Sequence, residues 1–176
     1  MTPNVGPEGA ATRVRRVFLS LGANLGERAA ALRAARVALA ALPATELLAA
    51  SRVYETAPQD LPDQAPFLNQ VVCLDTALTP LDLLGAAHRI EDDAGRERAV
   101  RFGPRTLDID ILLVQGVESG EPELTLPHPR LWQRAFVLVP LAELWSWARG
   151  MPQVDVAALA AELAQTQAVT LYVAED

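Results

Sequence analysis

Apolar and polar residues alternate along several stretches of this chain, and in other stretches they recur with the spacing of a helix. Alternation is typical of half-buried strands, whereas apolar residues three and four apart are typical of helices that pack on one side. The predicted strands lie at 14–21, 46–55, 67–76, 107–114, 124–126 and 168–174. The predicted helices lie at 27–41, 80–94 and 154–166, with mixed short helix and extended chain at 131–144.

The order of these elements is β-α-β-β-α-β, followed by further short elements. This order predicts an α+β fold, a ferredoxin-like βαββαβ sandwich with C-terminal additions. Residues 1–12 are rich in Gly, Pro and Ala and predict a disordered N-terminal extension, and 13–176 predict a single domain. No stretch is long and apolar enough to span a membrane, and 1–12 lack the apolar run of a signal peptide, so we expect a cytoplasmic protein.

Charge and composition narrow the possible chemistry. The formal net charge of −7 disfavours broad nucleic-acid binding through a basic surface. The chain has no lysine, which excludes a Walker-type phosphate loop because that loop needs one. The single cysteine, Cys73, cannot form a disulfide within the chain and is expected to be a small buried hydrophobe.

Two aspartates stand at the start of the strand predicted at 107–114. Because strand side chains alternate, Asp108 and Asp110 share one face, with Cα atoms about 6.6 Å apart. The opposite face is apolar and is expected to belong to the core: Leu107, Ile109, Ile111 and Leu113. The aspartates are either the solvated side of the strand or a carboxylate pair for a hard cation such as Mg²⁺.

The segment just before this strand is rich in arginine, at Arg96, Arg98, Arg101 and Arg105. Such a segment is either a solvated surface or a source of planar donors for phosphate oxygens. Since clustered arginines repel one another unless an anion compensates them, the neighbouring aspartates favour the second interpretation. Carboxylates for metal beside arginines for phosphate are typical of a phosphoryl-transfer site.

Three further groups carry possible chemistry. Phe67-Leu68-Asn69 begins a strand after the proline-rich loop 56–66. Either Phe67 belongs to the core and Asn69 lies at the strand end, or Phe67 is an aromatic platform for a ligand and the Asn69 amide donates to it and accepts from it. Pro127-His128-Pro129 places an imidazole one hairpin after the aspartate strand. This histidine is either structural or part of a site with the aspartates. Arg134-Ala135-Phe136 places a cation and an aromatic ring on alternate positions, which by itself is a weak signal.

Together these groups resemble one family, the 6-hydroxymethyl-7,8-dihydropterin pyrophosphokinases of folate biosynthesis. The resemblance runs from about 14 to 144, in order and with family-like spacing. It rests on Ser20-Leu21-Gly22-Ala23-Asn24-Leu25-Gly26, Tyr54-Glu55-Thr56, Phe67-Leu68-Asn69, Phe102-Gly103-Pro104-Arg105-Thr106-Leu107-Asp108-Ile109-Asp110, Pro127-His128-Pro129-Arg130 and Arg134-Ala135-Phe136. The run from Gly103 to Asp110 is its most specific part.

The resemblance implies transfer of pyrophosphate from ATP to the hydroxymethyl group of the pterin, with release of AMP. It implies that Asp108 and Asp110 hold two Mg²⁺ ions and that Arg98 and Arg101 act on the triphosphate during transfer. The ATP-binding residues it implies are Glu91, Arg96, Arg98, Arg101, Arg105, Thr125, His128 and Arg134. The pterin-binding residues it implies are Thr56, Pro58, Phe67, Asn69 and Phe136.

Two other classes of function fit the predicted fold. A non-catalytic ferredoxin-like module that senses a small ligand would not explain the aspartates beside the arginines. An RNA-binding ferredoxin-like domain would need a basic sheet face with exposed aromatic residues, which the acidic balance disfavours. The expected partners are therefore ATP and the pterin, with no nucleic acid and no membrane, and the expected state is a monomer.

Overall fold

A six-stranded antiparallel sheet with helices on both faces forms the framework of the protein. The computed structural model describes residues 13–58, 64–95 and 106–174. The strands are β1 (Arg15–Ala23), β2 (Thr45–Ala50), β3 (Tyr54–Thr56), β4 (Phe67–Thr76), β5 (Asp108–Val114), β6 (Ser119–Glu121), β7 (Leu124–Leu126) and β8 (Val169–Leu171). The helices are α1 (Arg28–Ala40), α2 (Pro80–Asp93), α3 (Ala135–Leu144) and α4 (Val156–Leu163), with 3₁₀ turns at Leu131–Gln133 and Trp145–Trp147.

The strand order confirms the predicted ferredoxin-like fold. The main sheet runs β5-β1-β4-β3-β8, β2 also pairs with β4, and β6 and β7 form a separate hairpin. Along the chain, β1-α1-(β2, β3)-β4-α2-β5 is the βαββαβ unit. The C-terminal additions are α3, α4 and β8. Among the described residues, no helix combines the length and the apolar character needed to cross a bilayer.

The two faces of the sheet carry separate apolar clusters. Leu19, Leu21 and Ile109 belong to the cluster that packs against α1 and α2. Phe18 and Leu112 belong to the cluster that packs against α3 and α4. Further along this second face, toward the end of β1 and the start of β4 and β5, polar residues replace the apolar ones. That polar part of the second face carries the candidate site.

Several local predictions are confirmed. Phe67–Thr76 is a strand, and Cys73 within it is fully buried, which raises the pKa of its thiol to about 12. Thr79 followed by Pro80 predicts a helix start with Thr79 as its N-cap. Helix α2 does begin at Pro80, and the Thr79 side chain caps it by accepting a hydrogen bond from the Asp82 N–H at 3.1 Å. These features depend on neighbouring residues in the chain, which is why the sequence predicts them well.

Other local predictions are wrong. The predicted strand 46–55 is interrupted at 51–53, where the Ser51 hydroxyl accepts the Val71 N–H at 3.0 Å in place of a backbone carbonyl. Leu113 lies with the α3–α4 cluster, because the pairing of β1 with β5 shifts register between Phe18 and Leu19. The helical spacing of apolar residues in 27–41 predicts that Val37 is available for burial, but Val37 is 71% exposed on α1. The predictions for 1–12 concern residues outside the described ranges.

Candidate active site

The floor of the candidate site is a row of residues paired across four adjacent strands. Gly22 of β1 pairs with Asp108 of β5 on one side and with Asn69 of β4 on the other, and Asn69 pairs with Tyr54 of β3. The sequence pattern predicts that this strand ends at Leu21, but β1 continues through Gly22 to Ala23. A glycine inside a strand often marks a place where a ligand or another backbone segment approaches the sheet.

The two aspartates lie on this floor as predicted. Asp110 pairs with Ser20, two residues along each strand from the pair of Asp108 and Gly22. Ile109, which lies between the two aspartates in the chain, is buried on the opposite face. Both aspartates are half-buried, and the Asp110 side chain is 39% exposed. Within the described ranges, no group of three or more potential metal-ligating side chains occurs. Two carboxylates alone suit Mg²⁺ completed by water and substrate phosphate, which is its usual mode of binding.

Helix α3 brings a cation and an aromatic ring to the same face. An Nη1 atom of Arg134 lies 4.0 Å from Oδ2 of Asp110, at the limit of an ion pair, and the Arg134 side chain is only 14% exposed. The guanidinium carbon lies 5.4 Å from the centroid of the Phe136 ring, within the range of a cation–π contact. The structure therefore brings together the weak sequence signal at 134–136 and the aspartate strand.

Four of the five predicted pterin residues, all except Phe136 of α3, lie at the start of β4 and at or just after the end of β3. Thr56 pairs with Phe67, and Nδ2 of Asn69 donates to Oγ1 of Thr56 at 2.8 Å in a buried hydrogen bond. Phe67 and Pro58 are half-buried, whereas Asn69 is only 3% exposed. The Tyr54 hydroxyl donates to the Glu143 carboxylate and so ties this part of the sheet to α3.

His128 lies against the outer edge of β5. Its backbone N–H donates to the Leu112 carbonyl at 2.9 Å, and its Nδ1 accepts the Arg130 N–H at 3.1 Å. Burial lowers the pKa of His128 to about 4, and the Arg134 and Arg130 charges act in the same direction, while Asp108 opposes them. The imidazole is therefore neutral near pH 7. Since Nδ1 accepts, the proton is on Nε2, which can donate to an anion.

Two other predicted ATP-binding residues make structural contacts. Glu91 is 1% exposed, and its Oε1 accepts the Ile109 N–H at 2.7 Å, which holds the start of β5 against α2. The Thr125 hydroxyl donates to the Glu121 carbonyl at 3.1 Å within the β6–β7 hairpin. A role of either residue in ATP binding stays a prediction. Four further predicted residues lie outside the described ranges: Arg96, Arg98, Arg101 and Arg105.

Arg28, which no sequence motif marks, contacts both ends of the loop between β3 and β4. Its Nη1 lies 2.8 Å from Oε2 of Glu55 and donates to the Pro66 carbonyl at 2.7 Å. Nearby, the buried Asn24 side chain donates to the Ala65 carbonyl at 3.3 Å. Asn24 lies within the motif at 20–26, whereas Arg28 carries no local signal because its partners are far away in the chain.

The comparison with known protein families decides the assignment. The sequence profile of the 7,8-dihydro-6-hydroxymethylpterin-pyrophosphokinase (HPPK) family matches residues 18–146. The chain belongs to this family. It is therefore a member of a pyrophosphokinase family, as the sequence motifs predicted, and a non-catalytic sensing module is not favoured.

Individual relatives agree with this assignment. A 2-amino-4-hydroxy-6-hydroxymethyldihydropteridine pyrophosphokinase of Bacillus subtilis is 44% identical over 127 residues, which are 72% of this chain and 76% of the relative. The enzyme of the same name from Pseudomonas aeruginosa is 47% identical over 131 residues, covering 74% of this chain and 81% of the relative.

Solved structures agree on the fold. A crystal structure of Plasmodium falciparum HPPK-DHPS with pteroate superposes with a TM-score of 0.65 at 14% identity, covering 89% of this chain. This chain spans 42% of that longer protein. At this low identity the likeness concerns the fold alone.

Proposed function

We propose that this protein transfers pyrophosphate from ATP to the hydroxymethyl group of 6-hydroxymethyl-7,8-dihydropterin, forming the pterin diphosphate and AMP. The observation that carries the proposal is the row across the sheet in which Asn69 and Asp108 flank Gly22. This row sets an amide suited to a flat heterocycle beside a carboxylate suited to a phosphate-bound metal. The names of the relatives support the same reaction.

In this proposal Asp108 and Asp110 would hold the two Mg²⁺ ions that act on the phosphates. Their shared face, their partial exposure and the absence of a third described acidic ligand fit a site that the nucleotide completes. When bound, Mg²⁺ neutralises charge on the phosphates and lowers the pKa of the attacking hydroxyl. No protein general base is then required.

ATP lies on the β5 side of the site. Arg134 and the Nε2–H of His128 face the phosphates, and Arg134 also screens the carboxylate of Asp110. Arg96, Arg98, Arg101 and Arg105 supply further phosphate contacts, and Arg98 and Arg101 strengthen theirs as charge shifts during transfer. Glu91 and Thr125 complete the nucleotide side.

The pterin lies on the β4 side of the site, between the rings of Phe67 and Phe136. A flat heterocycle with a polar edge favours stacking on its faces and amide-like hydrogen bonds at its edge. Asn69 forms hydrogen bonds with that edge, and the bond from its Nδ2 to Thr56 keeps the amide in one orientation. Thr56 and Pro58 line the same end of the pocket. Catalysis then consists mainly of aligning the hydroxymethyl oxygen with the phosphorus it attacks.

Residues 13–176 act as a single pyrophosphokinase domain that functions as a monomer in the cytoplasm, where ATP is available. Light scattering on the purified protein measures the oligomeric state directly. A mass of one chain at working concentration is expected, and a stable dimer would contradict this part of the proposal.

The decisive experiment measures AMP and pterin diphosphate after incubation of the protein with ATP, Mg²⁺ and the reduced hydroxymethylpterin. We expect both products in equal amounts, and no AMP when the pterin is omitted. A reaction that releases ADP, or AMP formation that does not depend on the pterin, would contradict the proposed transfer. Nucleotide or pterin binding without any product would favour a sensing module.

A further inference from the structure

The C-terminal residues after α4 contact both sides of the proposed pterin pocket. They lie beyond residues 18–146, which the family profile matches. The Gln167 side chain accepts the Ala135 N–H on Oε1 at 2.8 Å and donates from Nε2 to the Gln133 carbonyl at 3.0 Å. These two peptide groups flank Arg134, so one side chain brackets the residue that faces Asp110.

One of these two hydrogen bonds, from the Ala135 N–H to Gln167, compensates for a side-chain cap that helix α3 lacks. The first backbone N–H groups of a helix have no partner within it, and a polar side chain at the N-cap position usually supplies one. The N-cap residue of α3 is Arg134, which makes no side-chain capping bond. Its guanidinium lies instead near Asp110 and over the Phe136 ring. Gln167 therefore satisfies the first N–H of the helix, that of Ala135, while the Arg134 side chain lies near Asp110.

The opposite wall of the pocket is held by the strand that follows. In β8, Val169 pairs with Thr56, and the Tyr172 N–H donates to the Val53 carbonyl at 2.9 Å. Thr56 in turn accepts the hydrogen bond that orients Asn69. The short segment 167–172 thus connects the α3 wall, which carries Phe136, to the β3 wall, which carries Thr56.

We propose that Gln167 is a positioning residue for substrate binding, which sets pterin affinity by fixing the backbone on both sides of Arg134. The inference rests on the proposed role of Phe136 as a pterin contact. It assigns Gln167 no contact with substrate. Its effect reaches the pterin through the position of the Phe136 ring and through the Arg134 guanidinium stacked on that ring.

The test variant is Gln167→Met, which keeps the length of the side chain and removes both hydrogen bonds. We expect pterin affinity, measured by equilibrium titration, to fall about three- to tenfold, the range that corresponds to the net loss of one or two hydrogen bonds. Gln167→Glu keeps an acceptor for the Ala135 N–H and should recover part of this loss. The matched control is Gln165→Ala, an exposed glutamine two positions earlier, which should bind the pterin like the wild type.

A double-mutant cycle separates positioning from general stability. When Phe136 is already replaced by alanine, adding Gln167→Met should weaken pterin binding by less than about twofold, because coupled residues are not additive. An equal loss of affinity in both backgrounds, or wild-type affinity of Gln167→Met, would overturn the inference. If Gln167→Met does not fold, the cycle is run with Gln167→Glu and judged in the same way.

The same experiments distinguish failure of the inference from failure of the proposed function. Wild type and Gln165→Ala must both form AMP in the presence of the pterin. If they do and the coupling is absent, only the role of Gln167 is wrong. If neither forms AMP, the proposed function fails first.

Discussion

Asn69 and Asp108 are separated by a single residue across the sheet, because both pair directly with Gly22. Adjacent strands lie about 4.8 Å apart, so the two residues are about 10 Å from each other on one face. In the proposed function this spacing sets the distance between the pterin edge and the metal-bound phosphates. The backbone of β1 fixes that distance.

Gly22→Ala should leave the protein folded and weaken substrate binding. A Cβ at this position would lie 3.5 Å from Oδ1 of Asn69, an ordinary contact, but it would project from the floor between the two proposed substrate sites. We expect pterin binding weaker by about 1–3 kcal/mol, typical of overpacking at a filled site. Gly120→Ala in the β6–β7 hairpin, where a Cβ meets nothing within 4 Å, is the control. Unchanged pterin titrations for Gly22→Ala would show that the floor is not in contact with substrate.

Asp108→Asn and Asp110→Asn should each reduce turnover by about a hundredfold or more, because bound metal supplies several kcal/mol of transition-state stabilisation. The substitution keeps the shape of the side chain, so the unfolding midpoint should change little. Steady-state rates over a Mg²⁺ titration measure the effect, with the exposed Glu46→Gln on β2 as control. Near-normal Mg²⁺-dependent turnover in either variant would remove that aspartate from the metal site.

Arg28→Gln should raise the KM for the pterin while changing ATP affinity little. The guanidinium contacts both Glu55, next to Thr56, and the Pro66 carbonyl, next to Phe67, so its loss frees both chain ends that carry the predicted pterin residues. We expect an increase of about three- to tenfold from the lost hydrogen bonds. Arg33→Gln, on an exposed position of the same helix, is the matched control. Equal changes in the KM for ATP and for the pterin would argue for a general structural effect.

His128 should make the stability of the substrate-free protein depend on pH. Its folded pKa is about 4 and its ordinary value is 6.5, so the unfolded chain binds the proton first as the pH falls. The contribution of His128 to the free energy of unfolding is therefore fully present above about pH 6.5 and is lost as the pH falls toward 4. We expect a loss of about 1–2 kcal/mol between pH 7 and pH 5 after allowance for solvent screening.

Denaturant unfolding of the wild type and His128→Gln at several pH values measures this contribution. The difference in free energy of unfolding between the two proteins isolates the contribution of His128 from the contributions of the carboxylates. Hydrogen bonds from Arg16 hold the pKa of Asp75 below its ordinary value, so Asp75 titrates below this window. His88→Gln is the control for the other histidine. Parallel stability curves for wild type and His128→Gln would show that His128 titrates normally.

Arg98→Ala and Arg101→Ala should slow the chemical step far more than they weaken ATP binding. This prediction comes from the sequence, since both residues lie outside the described ranges. Contacts that strengthen as charge shifts on the transferring group favour the transition state over the ground state. Single-turnover rates and equilibrium ATP titrations on the same variants separate the two effects. A loss of ATP affinity as large as the loss of rate would make the arginine a uniform binding contact.

Much of the fold was predictable because it depends on local periodicity. A strand repeats every two residues, so the shared face of Asp108 and Asp110 follows from their spacing and agrees with their pairing to Gly22 and Ser20. The Thr79 cap likewise depends on residues within one helical turn. The family and its enzyme class were predictable as well, since the motif from Gly103 to Asp110 is contiguous in the chain.

Long-range contacts were decided only by the tertiary structure. The register shift that moves Leu113 to the second face arises between two strands about 90 residues apart, so alternation along one strand does not show it. Arg28 reaches Pro66 across 38 residues and Gln167 reaches Ala135 across 32, and neither has a neighbour in sequence that marks it. The sequence by itself predicted which groups belong to the proposed site, because their residue types and spacing are local. Which residues hold those groups in place depends on how distant segments pack, and only the folded chain decides that.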